Sequence, residues 1–135
     1  MIFGTFDIVH AGHLHMFKEA KKYGDFLVVV VARDQNVEII KGLGSLHSEE
    51  ERLLFLENIK LIDQVLLGDK TDVYKVVNEI KPNIIALGYD QKIYVDNLEK
   101  AITNFGLNTR IVRLAPYQEN RLKSNKIRKY IERLV

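Results

Sequence analysis

Short runs of β-branched residues alternate along the chain with stretches in which apolar residues recur every three or four positions. A continuous apolar run reads as a buried strand and a 3.6-residue period as a helix, so their alternation predicts a parallel α/β sheet. Five runs read as strands, at residues 2–5, 26–32, 65–67, 84–87 and 109–114. The second, F-L-V-V-V-V-A, has no polar position and suits a strand covered on both faces. The fifth alternates and suits an edge. Five helices are predicted between and after them. The first runs over 12–23, with Gly24 placed to take a left-handed cap. Ser48 and Glu51 form a capping box that opens a helix to about residue 58. Val73, Val76, Val77 and Ile80 share one face of a third helix, which Pro82 stops. Val95, Leu98, Ile102 and Phe105 mark a fourth, closed by Gly106, and Ile127, Tyr130, Ile131 and Leu134 a fifth. No repeat or linker interrupts the pattern. Residues 1–135 therefore read as one doubly wound α/β domain, a five-stranded parallel sheet flanked by helices.

Composition narrows the field. A chain of 135 residues with 47% hydrophobic and 28% charged positions suits a single globular domain. It contains no cysteine, which excludes disulfides, a thiolate zinc site and a cysteine nucleophile, and fits a cytoplasmic protein. No apolar run approaches the roughly 18 residues of a membrane span, and no signal peptide opens the chain. Twenty basic residues against eighteen acidic ones are too balanced for a nucleic-acid coat. The charge is nevertheless partitioned: residues 118–135 hold six basic and two acidic side chains. That end either faces an anion or is a solvated helix face.

Ligands of doubly wound sheets bind beyond the carboxyl ends of the strands. This rule nominates the segments 6–12, 33–47, 68–70, 88–94 and 115–123. The sharpest motif falls in the first, G-T-F-D-I-V-H-A-G-H, from Gly4 to His13. Gly12 lets a phosphate approach the amides at a helix start, and His10 and His13 can both turn toward it. Imidazoles there can stabilise phosphate oxygens in a transition state. Two histidines without a third ligand make a poor metal site, and His15 reads as a surface residue.

This motif, with the helix after it, resembles the signature of the cytidylyltransferase-like nucleotidyltransferases, and the resemblance extends over essentially the whole chain. It implies a Rossmann-like fold and transfer of a nucleotidyl group from a nucleoside triphosphate to a phosphate or hydroxyl acceptor. His10 and His13 would bind the triphosphate and stabilise the transition state. Lys41, in Lys41-Gly42, resembles the family lysine that reaches a phosphate from a mobile loop, although a solvated lysine would look the same. Gly4, Thr5, Phe6 and Gly12 would shape the nucleotide site. Gly88 and Asp90, in L-G-Y-D-Q, would meet the nucleoside, and Lys123 and Ser124 would hold the outer phosphates at the start of the last helix. Asp7, Arg52, Lys60, Tyr89 and Arg121 are the weaker, acceptor-side candidates. Arg52, just inside a capped helix, fits a structural role as readily. Lys60 stands where relatives often carry arginine, and lacks its bidentate fork.

The implied reaction is direct in-line attack, with Mg²⁺ entering on the triphosphate and no tightly bound organic cofactor. V-V-V-A-R-D and A-L-G-Y-D-Q resemble the archaeal-type FAD synthases, which adenylylate FMN. Glycerol-3-phosphate cytidylyltransferases and heptose-phosphate adenylyltransferases of lipopolysaccharide-core synthesis share much of the motif and stand as alternatives. ATP against CTP, and monomer against homodimer, stay open. A non-catalytic nucleotide-binding module is the reading from another class, and retention of both histidines argues against it. A class I tRNA synthetase fragment would carry a similar histidine motif, but 135 residues leave no room for tRNA-binding and amino-acid domains.

Overall fold

The computed structural model describes residues 1–92, 95–118 and 121–135. In chain order these form β1 (Ile2–Gly4), α1 (Ala11–Lys21), β2 (Val28–Val31), α2 (Asp34–Lys41), α3 (Glu49–Glu57) and β3 (Gln64–Leu67). There follow α4 (Lys75–Ile80), β4 (Ile84–Leu87), α5 (Val95–Asn104), β5 (Arg110–Arg113) and α6 (Ser124–Leu134). All pairings are parallel: β1 with β2, β2 with β3, and β4 with β5. The expected single five-stranded ladder is instead a three-stranded and a two-stranded sheet. They abut at β1 and β4, where the Met1 amino group donates to the Ile84 carbonyl at 2.8 Å and the Ala86 N–H to the Met1 carbonyl at 3.0 Å. With β1 only three residues long, these two bonds are too few to make a ladder. The spatial order is thus β3-β2-β1-β4-β5, and it reverses direction between β1 and β4. A doubly wound fold opens its ligand crevice at that point.

The valines of β2 divide the core. Val29 and Val31 pack with Phe17 and Ala20 of α1 and Leu56 of α3. Val28 and Val30 pack on the other face with Val76 and Val77 of α4 and Leu98 and Ile102 of α5. Each of these buried side chains larger than alanine contributes on the order of 1.5–3 kcal/mol. The all-apolar run therefore did mark the central strand, but the strand begins two residues later than expected, and Phe26 is 59% exposed.

Helix α2 was not expected, because residues 33–47 read as a loop. Its D-Q-N-V-E-I-I-K carries one fully buried apolar residue, Val37, while Ile39 faces solvent, so no stripe forms. Gly42 closes it at φ +66°, a conformation glycine adopts without strain. Gly106 plays the same part after α5, as expected. Gly24 does not: the Glu19, Ala20 and Lys21 carbonyls at the end of α1 accept from the N–H groups of Lys22, Tyr23 and Gly24 in a right-handed turn, so no left-handed cap is needed. The α6 stripe buries none of its residues. Of the nominated segments 88–94 and 115–123, residues 93–94 and 119–120 lie outside the described residues.

Candidate functional site

Beyond β1 the chain turns sharply, and Phe6 sits at φ +56°, rare for an aromatic residue and a mark of stored strain. The turn folds the Phe6 ring back over Gly4, where a Cβ would stand 2.7 Å from ring atoms. The ring is buried, with its centroid 5.6 Å from that of His13 and 5.8 Å from that of Phe17. Phe6 therefore braces a histidine from within the core.

The two histidines start helix α1. His10 is the N-cap, and its Nδ1 accepts the Gly12 N–H at 3.1 Å. His13 completes the box, its Nδ1 accepting the His10 N–H at 3.1 Å. A ring nitrogen that accepts is unprotonated, so both imidazoles carry their proton on Nε2. Their centroids lie 4.1 Å apart, which gives two neighbouring N–H donors. Gly12 acquires a reason different from the one expected. A Cβ there would stand 2.8 Å from Cε1 of His10, so the glycine makes room for the ring.

Burial pushes the His13 pKa down to about 4, helped by His10 and then by Lys41, and burial lowers His10 as well. The folded state thus resists a proton that the unfolded chain takes up near 6.5. This contribution to stability is complete above that pH and is lost as pH falls toward about 4. An NMR titration of the imidazole Cε1 signals should place the His13 midpoint about two units below that of an unfolded histidine. A midpoint near 6.5 would contradict the capped, neutral ring.

A second helix start meets the first. Ser124, at the head of α6, donates from Oγ to the Ile8 carbonyl at 3.3 Å, and the Leu122 carbonyl lies 3.5 Å from where a Gly12 Cβ would be. The N-termini of α1 and α6 therefore converge, and unpaired amides and helix dipoles there favour an anion. Lys123 is the N-cap of α6; its ammonium lies 3.1 Å from Asp90 and 5.2 Å from the centroid of the Tyr89 ring. Tyr89 and then Asp90 hold its pKa above the usual lysine range.

Asp7 ties these parts together. Buried at 6% exposure, its carboxylate accepts the N–H groups of Leu46 at 2.8 Å and His47 at 2.9 Å, and meets the His47 ring and the Arg128 guanidinium. Burial opposes its charge, yet the His47 and Leu46 amides, the His47 ring and Arg128 together keep its pKa below the ordinary carboxylate value. With its oxygens engaged in this way, Asp7 is a tether and not an open acceptor contact. Lys41 ends α2 and is not on the expected mobile loop. Loss of hydration and then the charge of Arg128 lower its pKa, while Asp7 pulls the other way. Two cations share a small space beside His13.

Other expected positions fall elsewhere. Arg52 is 1% exposed and donates to the Thr5 and His47 carbonyls and to Asp34, so it shapes the turn from behind. Thr5 contributes its carbonyl to that bond. Lys60 is exposed in the turn before β3, at the amino end of the sheet and away from the crevice. Arg121 pairs with Gln118 on the surface. Nothing crowds Gly88, and its carbonyl accepts from Arg113 of β5, which also binds the Gln91 carbonyl and so fixes the loop after β4. His15 is not a bare surface residue, because it stacks on Tyr117 at 4.8 Å. Arg128 and Arg113 were missed: within a helix stripe or an edge strand, their sequence context is that of solvated arginines. Among the described residues no three His, Asp or Glu side chains gather as a metal site, and no helix is long and apolar enough to cross a membrane.

A turn from the first strand into a histidine-capped helix at the switch point defines a class. The chain belongs to the cytidylyltransferase-like family, whose model matches residues 1–130, and with it to the nucleotidyltransferases. Relatives narrow the likeness. A FAD synthase of Thermoplasma acidophilum is 42% identical over 135 residues, covering 100% of this chain and 94% of its own. One from Archaeoglobus profundus is 45% identical over 116 residues, covering 86% and 74%. Among solved structures, a lipopolysaccharide core biosynthesis protein from Thermoplasma volcanium matches with a TM-score of 0.80 and 44% identity, over 87% of this chain and 96% of that one. A pantoate-β-alanine ligase from Francisella tularensis, complexed with β,γ-ATP and β-alanine, reaches a TM-score of 0.55 over 97% and 67%. At 16% identity it shares the fold alone.

Proposed function

We propose that this chain transfers AMP from MgATP to the phosphate of FMN, giving FAD and pyrophosphate. The observation that carries this reading is the meeting of two helix N-termini, two Nε2–H imidazoles and two cations at the carboxyl end of β1. The FAD synthase relatives supply the acceptor. An oxygen of the FMN phosphate attacks the α-phosphorus and forms a new P–O bond. The bond from that phosphorus to the α,β-bridging oxygen breaks, and its electron pair leaves with pyrophosphate. No covalent enzyme intermediate is needed, because positioning and charge stabilisation suffice for such transfers. His10 and His13 donate to the α-phosphate oxygens as charge grows on them. Lys41 and Arg128 balance the charge of the phosphates brought together. The start of α6, with Lys123 and Ser124, takes the outer phosphates, and the loop at Gly88 and Asp90 takes the nucleoside. The divalent ion, Mg²⁺ in this reading, arrives on the triphosphate.

A sugar-phosphate acceptor is the second reading, favoured by the likeness to the Thermoplasma volcanium protein. One assay grid separates them: ATP or CTP against FMN, glycerol 3-phosphate and heptose 1-phosphate, following pyrophosphate. FAD formed from ATP and FMN alone is the expected result. Turnover confined to another pair would overturn the acceptor, and no turnover with any pair would leave a binding module.

A further inference from the structure

A groove of about 610 Å³ runs between the turn after β1 and the outer side of α3. Phe6 and Val9 line it from one side, and Leu54, Phe55 and Ile59 from the other. Leu54 and Phe55 are 61% and 56% exposed, although their neighbour Leu56 is wholly buried. Large apolar side chains left in water beside a cavity of this size are the usual lining of a small-molecule site.

The groove is continuous with the site described above. The Phe6 ring that lines it also lies edge-on to His13, and Asp7, which also lines it, holds Arg128. Going from α3 toward the turn, the lining changes from apolar side chains to Asp7 and His47, and beyond Asp7 stands its ion-pair partner Arg128, with Lys41 near both. FMN has the same polarity along its length: a flat, largely apolar tricyclic ring, a five-carbon chain and a doubly charged phosphate. Resting on the FMN reading, we propose that this groove seats the isoalloxazine ring, with Phe55 and Leu54 as the side chains that select a flavin over a bare sugar phosphate. The acceptor phosphate then lies toward Arg128 and Lys41, and the ribityl chain passes the Asp7–His47 contact. A sugar phosphate would leave Leu54 and Phe55 uncovered.

The test uses the full chain and two surface variants, Phe55→Ala and Leu54→Ala, neither of which opens a buried cavity. Each should raise the KM for FMN about tenfold while kcat and the KM for ATP stay within about twofold. Riboflavin, which lacks the phosphate, should bind the unaltered chain in equilibrium dialysis and be lost in both variants. If the unaltered chain makes no FAD, the acceptor reading itself fails. If it makes FAD and both variants keep the FMN KM, the groove assignment alone is overturned. A change from two copies to one in either variant, seen by light scattering, would show a contact between copies and overturn it equally.

Discussion

The double variant His10→Asn with His13→Gln should lose turnover by about 10⁴-fold, and each single change by about a hundredfold or more. Its melting temperature should stay within a few degrees of the unaltered chain. Asparagine is a preferred N-cap, and glutamine at the third helical position is the usual partner in a capping box. Both therefore supply the acceptors that Nδ1 of His10 and His13 now provide. Neither can place an N–H where Nε2 stands. His10→Ala is the informative contrast, because it removes donor and cap together and should cost about 1 kcal/mol of stability as well. The measurement is pyrophosphate release under saturating ATP and FMN, with a thermal melt of each variant. Near-normal turnover in the double variant would remove the imidazoles from the chemistry.

The largest effect on stability is expected at Arg52. Its side chain is wholly buried and serves three acceptors, the Thr5 and His47 carbonyls and the Asp34 carboxylate. In Arg52→Met those acceptors lose their donor inside the protein. Asp34 is partly solvated and recovers some hydration, so the expected loss is about 3 kcal/mol, at the low end for breaking a buried pair. That lowers the melting temperature by about 10 °C in a domain of this length. Turnover at 15 °C should fall far less than in the histidine variants, since Arg52 borders the acceptor groove and donates nothing to the histidine pair. An unchanged melting temperature with a raised KM would instead place the guanidinium against a substrate.

Much of this arrangement was legible before any coordinates. The spacing of His10, Gly12 and His13 after a short strand located the crevice, because strand, turn and helix start are local patterns. The four valines of β2 announced a strand covered on both faces for the same reason. What sequence could not show was contact at long range. Arg128 sits in a stripe that looks like any solvated helix face, and only folding brings it to Asp7. Helix α2 escaped notice because one buried valine sets no period. Lys41 was therefore given to a loop, although a helix end fixes it. The seam between β1 and β4 depends on two hydrogen bonds at Met1, which no periodicity encodes.

The histidine cap also says which other side chains could stand at residues 10 and 13. A lysine or arginine would supply a stronger charge to a phosphate, and chemistry alone would favour it. Neither has a lone pair with which to receive a backbone amide. Imidazole alone among the cationic side chains can accept on one nitrogen and donate on the other. The demand for histidine is thus set as much by the first turn of α1 as by the substrate, and an exchange for lysine or arginine at either position would disarm the helix start.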